Sequence, residues 1–418
     1  MEDHYNIPTA PVVTARFADY VLKDSRSHGM LLRYSFPPHP IGFIPRSYIR
    51  DYIKGNDPYT GKPLMQEIID ALTKPLTEEE KNPVVPKRPR HPRLLPPDTE
   101  ENLQRLFLEN GWTDGLPIVL PTEERVAEML TGTDADPNQV VGRMSIAYYE
   151  EKLEYTVEKV AVNAVMAGCR PEHLPVLLAI AETQHPSLPS STTSFASMLC
   201  VNGPIRHEIG MNSGLAALSP FNYANSVIGR AWTLMSINFG EAKPGDTFMA
   251  SLGHNLNYNN MTFAENEEDS PFEPFHVEKG FKPEESTVSI FRGWNVLGLG
   301  LGNVEEMARV LKNLPTMAPT GTFVMDPLVA RSLVDEGFKT KEELRQYFAE
   351  KTGFPPSAIN FMVVGGQTNP LWITTDFVYT ETESIDKWIP KDGIRKDKRP
   401  LRMPAPLVCK DGICNLPR

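Results

Sequence analysis

Six prolines fall within the fifteen residues from Pro83 to Pro97. Each fixes its own φ, lacks an amide donor and restricts the residue before it, so neither a helix nor a central strand can run through the stretch. It reads as an extended, semi-rigid connector, and it divides the chain into a domain at 1–82, a linker at 83–97, a main domain at 98–390 and a tail at 391–418, with a possible subdivision near 300. The basic run from Lys87 to Arg93 belongs to this connector and reads as a solvated linker.

The fold class expected is α/β. In the first domain Val12 to Ala15 and Leu31 to Phe36 have strand character. Ala18 to Lys23 and Leu64 to Leu72 have helical spacing. That is too little for a complete doubly wound domain and reads as half of one, followed after the linker by a larger mixed α/β or α+β domain. There, helix starts are marked by Asp98 or Thr99, Thr122, Thr156, Asn303 with Glu306, and Thr340 with Glu343. Gly168, Gly337 and Gly353 sit where helices end. Ser197 to Val201, Thr287 to Phe291 and Ile359 to Val364 read as strands, and Ala224 to Phe239 as a helix. The charged, proline-rich tail reads as extended.

A net charge of −11 over 418 residues argues against non-specific nucleic-acid binding, which needs basic patches. The polar, acidic start Met1-Glu2-Asp3-His4 is unlike a secretory leader, and no apolar run approaches membrane-spanning length. With four cysteines, reduced thiols and a cytoplasmic location are expected.

The densest chemistry lies between Asn202 and Phe281. Glu265, Glu267, Glu268, Asp269 and Glu273 crowd together with His276, framed by phenylalanines and prolines. Crowded carboxylates raise one another's pKa and can act as acid and base, so Glu265, Asn266, Glu267 and His276 form the candidate catalytic set. A solvated acidic loop is the simpler alternative. Upstream, Asn202, His207, Asn212, Asn222, Asn225 and Arg230 are candidate substrate-binding residues. Asn225 and Arg230 fall at the start and second turn of a helix, a place suited to an anion, although asparagines also fill turns and caps. No standard metal spacing occurs, and Glu265 with His276 is a weak pair for iron or manganese. Gly298-Leu-Gly300-Leu-Gly302 is similar to a phosphate cradle but misses the G-x-G-x-x-G spacing. Cys409 and Cys414 flank Lys-Asp-Gly-Ile, where a turn could bring two thiols together as a redox pair.

Two resemblances enter at these residues. Trp112-Thr-Asp114-Gly-Leu-Pro, the run from Val157 to Glu172, Val201-Asn202-Gly-Pro, Gly210-Met-Asn212, Phe263-Ala-Glu-Asn-Glu-Glu and His276-Val-Glu-Lys-Gly-Phe281 resemble a poorly characterised bacterial family over about residues 105–290. That resemblance adds Trp112 and Asp114 to the binding candidates and implies a cysteine where this chain has Thr262. Ile7-Pro-Thr-Ala-Pro-Val-Val-Thr and Phe36-Pro-Pro-His39 are similar to the second half of small proteins named for a U-G-S-C or C-G-S-C motif, and no Cys-Gly-Ser-Cys occurs here. The resemblance implies a hetero-oligomer in which a second subunit carries the cysteine or selenocysteine. It implies a thiol- or selenol-dependent enzyme, a reductase acting on a small anionic organic or sulfur-containing substrate. A lyase or hydratase using the same carboxylate and histidine, with or without a metal, and a non-catalytic assembly subunit are the alternatives.

Overall fold

The computed structural model describes residues 7–42, 44–85, 92–144, 153–300, 302–396, 408–410 and 413–415, with Leu299 and the last two segments in their backbone alone. The chain is mixed α/β, and its described residues up to Pro96 and from Pro97 onward form two compact units.

The first unit holds helices α1 (Ala18–Ser27), α2 (Arg46–Lys54), α3 (Leu64–Thr73) and the single turn α4 (Glu78–Lys81). The strand-like stretches near Val12 and Leu31 meet only in one isolated parallel bridge, Val12 with Ser35. A sheet, the half of a doubly wound domain, is therefore not formed among the described residues. The buried carboxylate of Asp57 instead gathers the amides of Phe36, Tyr59 and Thr60 at 2.7–3.1 Å. Arg33 grips Glu80 through two bonds of 2.6 Å and holds its pKa down at about 2, against the upward push of partial burial. Pro83 to Val85 and residues 92–97 carry no helix or strand, and residues 86–91, which include most of the basic run, lie outside the described residues.

The second unit opens with α5 (Glu100–Glu109), α6 (Glu123–Leu130), an antiparallel ribbon of β1 (Val140–Met144) and β2 (Leu153–Thr156), α7 (Val157–Ala167) and α8 (Leu174–Glu182). The hydroxyls of Thr99, Thr122 and Thr156 cap α5, α6 and α7, each accepting the backbone amide three residues on. Gly168 ends α7 at φ 88°, a conformation that costs a residue with a Cβ.

β3 (Ala196–Asn202), the short turn α9 (Ile205–Glu208), α10 (Tyr223–Phe239), β4 (Thr262–Ala264), α11 (Phe275–Glu278) and β5 (Thr287–Gly293) follow. The chain then crosses through β6 (Val296–Gly300), α12 (Val304–Asn313), β7 (Gly321–Met325), α13 (Pro327–Asp335), α14 (Lys341–Thr352), β8 (Ile359–Val363) and β9 (Leu371–Thr375), and returns with β10 (Val378–Ser384). Two four-stranded mixed sheets result, in the orders β10-β5-β3-β4 and β6-β9-β7-β8.

Alternation along the strands sets the layers. Met198 and Cys200 of β3, Phe263 of β4 and Phe291 of β5 share one buried core with Val324 of β7 and Met362 of β8, so the two sheets face each other. The opposite parity of the second sheet, Phe323, Met325, Phe361 and Val363, packs under Met307 and Leu311 of α12, Leu333 of α13, and Leu344 and Phe348 of α14. Helix α8 lies on β5 and β10 of the first sheet, and α10 on β4. In the tail, β11 (Val408–Lys410) and β12 (Ile413–Asn415) pair antiparallel. No helix among the described residues is long and apolar enough to cross a membrane.

Candidate functional site

Each sheet has one parallel pair, β3 with β4 and β7 with β8, and in α/β sheets ligand crevices open beyond the C-terminal ends of parallel strands. Here the ends of both pairs meet. Asn266, just past β4, donates its amide to Val363 O of β8 at 2.8 Å, and its side chain donates to Gly365 O at 3.1 Å. Val364 N bonds Met325 O of β7, and Gly365 N bonds Ser213 O, each at 2.9 Å.

Beyond β7 and β8 lies a cavity of about 500 Å³. It is lined by Val324 and Val364, Leu215 and Leu218 of the segment before α10, Gly298 and Gly300 of β6, and Asp326 and Gly365–Gly366. A second cavity of about 180 Å³ shares Ala217, Leu218 and Ile373 with it and reaches Asn225, Met261 and Thr262. Two glycine runs distant in sequence thus line one cavity. The phosphate-cradle reading of Gly298 to Gly302 does not hold, because Gly298 and Gly300 are ladder residues of β6 paired with Ile373 and Leu371 of β9. Backbone strain also gathers here: Ala216, Met261 and Gln367 have φ of 59°, 39° and 60°, and Phe221 and Asn260 have 80° and 52°. Such non-glycine conformations persist only where the surroundings enforce them, which is common at functional sites. Gly366 permits close approach, since a Cβ there would lie 2.5 Å from Leu215 Cα.

Three of the candidate binding residues build this wall. Asn222 Nδ2 reaches the carbonyls of Ala216, Ala217 and Ser219 at 2.6–3.1 Å, and its Oδ1 accepts from Asn212 Nδ2 at 2.7 Å. Asn225 Oδ1 accepts from Asn212 N at 3.0 Å, and its Nδ2 donates to Asn212 O at 2.9 Å and Ala217 O at 3.2 Å. These amides hold the strained 212–222 segment in place, the capping and turn role that asparagine performs well. Arg230, expected to bind an anion, is committed elsewhere. Its Nε and Nη2 grip Asp114 at 2.8 and 3.0 Å, and Nη2 also donates to Pro117 O. Asp114 and Arg230 are therefore each other's partners, and neither lines either of these two cavities. Trp112 packs edge-on against Phe107 at 5.4 Å.

Within the acidic run Glu265 is buried and Glu267 half-buried, whereas Glu268, Asp269 and Glu273 are exposed. Glu265 is fully buried; its Oε2 accepts from Asn202 Nδ2 at 2.6 Å and Phe275 N at 2.7 Å, and its Oε1 from Val363 N at 3.3 Å and Lys341 Nζ at 3.5 Å. Glu267 takes Asn202 Nδ2, Gly203 N and Arg206 at 2.8–3.0 Å. Glu268 is half-exposed and paired with Arg206 and His207; partial burial pushes its pKa up, but these two partners bring it down to about 2. Lys341 Nζ also lies 2.6 Å from Glu278, which Arg345 clasps from α14. A buried carboxylate that accepts from four donors is fixed in place. Glu265 and Asn266 thus buttress the cavity rim from behind and do not line it. His276 is fully buried with neither ring nitrogen bonded.

Lys341, Arg345, Glu278 and Asp326 were not among the candidates. Asp326-Pro327 directly after the apolar strand β7 was the available sequence signal, since Asp at the N-cap and Pro at N1 mark a helix start. Among the described residues no group of three or more His, Cys, Asp or Glu is placed to hold a metal ion. Cys169 and Cys200 are buried, and desolvation pushes both thiols well up. Thr262, where the resemblance implies a cysteine, lines the smaller cavity and donates to Asn259 O at 2.7 Å. The side chains of Cys409 and Cys414 lie outside the described residues, but their Cα positions are directly opposite in the β11–β12 ladder. No protein-family profile, curated protein or solved structure matches the chain.

Proposed function

We propose that this chain is the substrate-holding subunit of a thiol- or selenol-dependent reductase, with the substrate, a small organic or sulfur-containing molecule, in the cavity beneath Leu215 and Leu218. The reacting thiol or selenol belongs to a second chain carrying a cysteine or selenocysteine motif. A thiol pair that gives two electrons and two protons to the substrate becomes a disulfide, or a selenenylsulfide where one member is selenium. The observation that carries this reading is a ligand-sized cavity at the ends of parallel strands in a subunit whose two core thiols are buried and kept protonated. Thr262 at the position of the implied cysteine adds to it. Cys409 and Cys414, paired in register, are the dithiol of this chain best placed for reversible oxidation.

The test is native purification of the full chain, labelling with a biotinylated iodoacetamide, and mass spectrometry. A stoichiometric companion labelled at a Cys or Sec motif is expected; a homogeneous chain without a companion overturns the proposal. One observation favours a second reading, a lyase or hydratase: the carboxylate at the cavity is Asp326, a position from which a base could act. In that case Asp326→Asn abolishes turnover of the native complex, and alkylating the companion leaves turnover intact.

A further inference from the structure

Resting on the cavity reading above, we infer that the ligand is a small organic cation, an ammonium or amidinium group on an apolar body, anchored at Asp326. The walls are Leu215, Leu218, Val324, Val364 and Ile373, which suit hydrocarbon. Among the described residues neither cavity is lined by lysine, arginine or histidine. An anion would therefore enter without a counter-charge and meet a carboxylate.

Asp326 is 8% exposed, and no cationic side chain forms an ion pair with it among the described residues. It caps α13 by accepting Leu328 N on Oδ1 at 2.9 Å, and Oδ2 accepts Gln367 N at 3.0 Å. Each oxygen keeps further acceptor capacity. The nearby cation Arg331 is engaged with Gln367 and with Asp269 O. A side chain at residue 365 would place its Cβ 2.4 Å from Asp326 Oδ2, so Gly365 lets the backbone pack close to that carboxylate. A buried carboxylate whose partners are all neutral attracts a positive group strongly, because charge-assisted bonds in a water-poor site exceed neutral ones.

Three probes with one body separate the possibilities: 2-phenylethylammonium, 2-phenylethanol and phenylacetate, titrated against the full chain by ligand-observed NMR. The ammonium probe is expected to bind at least about tenfold tighter than the alcohol, with phenylacetate weakest. Asp326→Asn keeps a good N-cap and should erase the ammonium preference while leaving the alcohol within about twofold. Gly298→Leu, whose Cβ meets nothing within 4 Å, should narrow the cavity and weaken binding of all three probes. If the ammonium and alcohol bind alike, or the preference survives Asp326→Asn, the cation inference is overturned and the cavity reading stands. If no probe binds, or binding is indifferent to Gly298→Leu, the cavity reading itself fails and takes the inference with it.

Discussion

Replacing Lys341 by methionine tests whether the buried charges behind the cavity hold the second unit together. The Lys341 side chain is 1% exposed, with Glu278 at 2.6 Å and Glu265 at 3.5 Å, both themselves buried. At an effective dielectric of about 20, those contacts are worth about 6 and about 5 kcal/mol of gross attraction. Desolvating the ammonium group returns several kcal/mol. Glu278 keeps Arg345 in the variant, but Glu265 keeps only neutral donors, so the net loss should be about 3–5 kcal/mol. All five tryptophans (Trp112, Trp232, Trp294, Trp372 and Trp388) lie in the second unit, so their fluorescence reports its unfolding alone. The urea midpoint should fall by roughly 1–2 M. Lys341→Met with Glu265→Gln should destabilise less than the sum of the single changes, by about 1–3 kcal/mol. A loss below about 1 kcal/mol for Lys341→Met would refute the argument. The pH dependence gives a second check: burial alone would lower the Lys341 pKa, but Glu265 and Glu278 outweigh it and hold it above the usual lysine value. Its contribution is therefore complete below the unfolded pKa, about 10.4, and is lost only as pH rises through the higher folded value.

His173 works in the other direction. Desolvation, then the charge of Arg170, pulls its pKa down to about 3, while its Nδ1 accepts Arg170 N at 3.1 Å. Between about pH 3 and 6.5 the unfolded chain binds the extra proton, so stability should climb with pH by up to about 1.4 kcal/mol per unit, and His173→Gln should flatten that slope in a pH series of urea melts. Gly366→Ala drives a Cβ into Leu215 and should cost about 1–3 kcal/mol by thermal melt, with binding of 2-phenylethanol lost as the wall shifts. Arg230→Ala strands the buried Asp114 carboxylate and should cost about 2–4 kcal/mol without altering the affinity of the cavity probes; loss of binding with unchanged stability would restore Arg230 as a ligand residue.

Much of the secondary structure was legible because its signals are local. The caps at Thr99, Thr122, Thr156, Asn303 and Thr340 each span three residues, and the αL ends at Gly168 and Gly353 announce themselves by residue type. The strands over 12–15 and 31–36 failed because β character needs a partner ladder, and there the backbone supplies one bridge. The asparagine run was singled out for substrate binding, with turns and caps as the alternative, and residue type could not tell an amide that binds a ligand from one that binds its own loop.

The sequence by itself determined an α/β chain with well-capped helices and a polar segment from Asn202 to Phe281 rich in ionisable groups. The tertiary structure decided which of those groups face a cavity. Asn202 meets Glu265 across 63 residues, Lys341 meets it across 76, and Asn266 reaches Gly365 across 99. No local pattern encodes such pairings, because they follow from how two sheets stack and which strand ends coincide. That stacking made Glu265 a buried brace, joined Arg230 to Asp114, and left Asp326 as the carboxylate at the cavity.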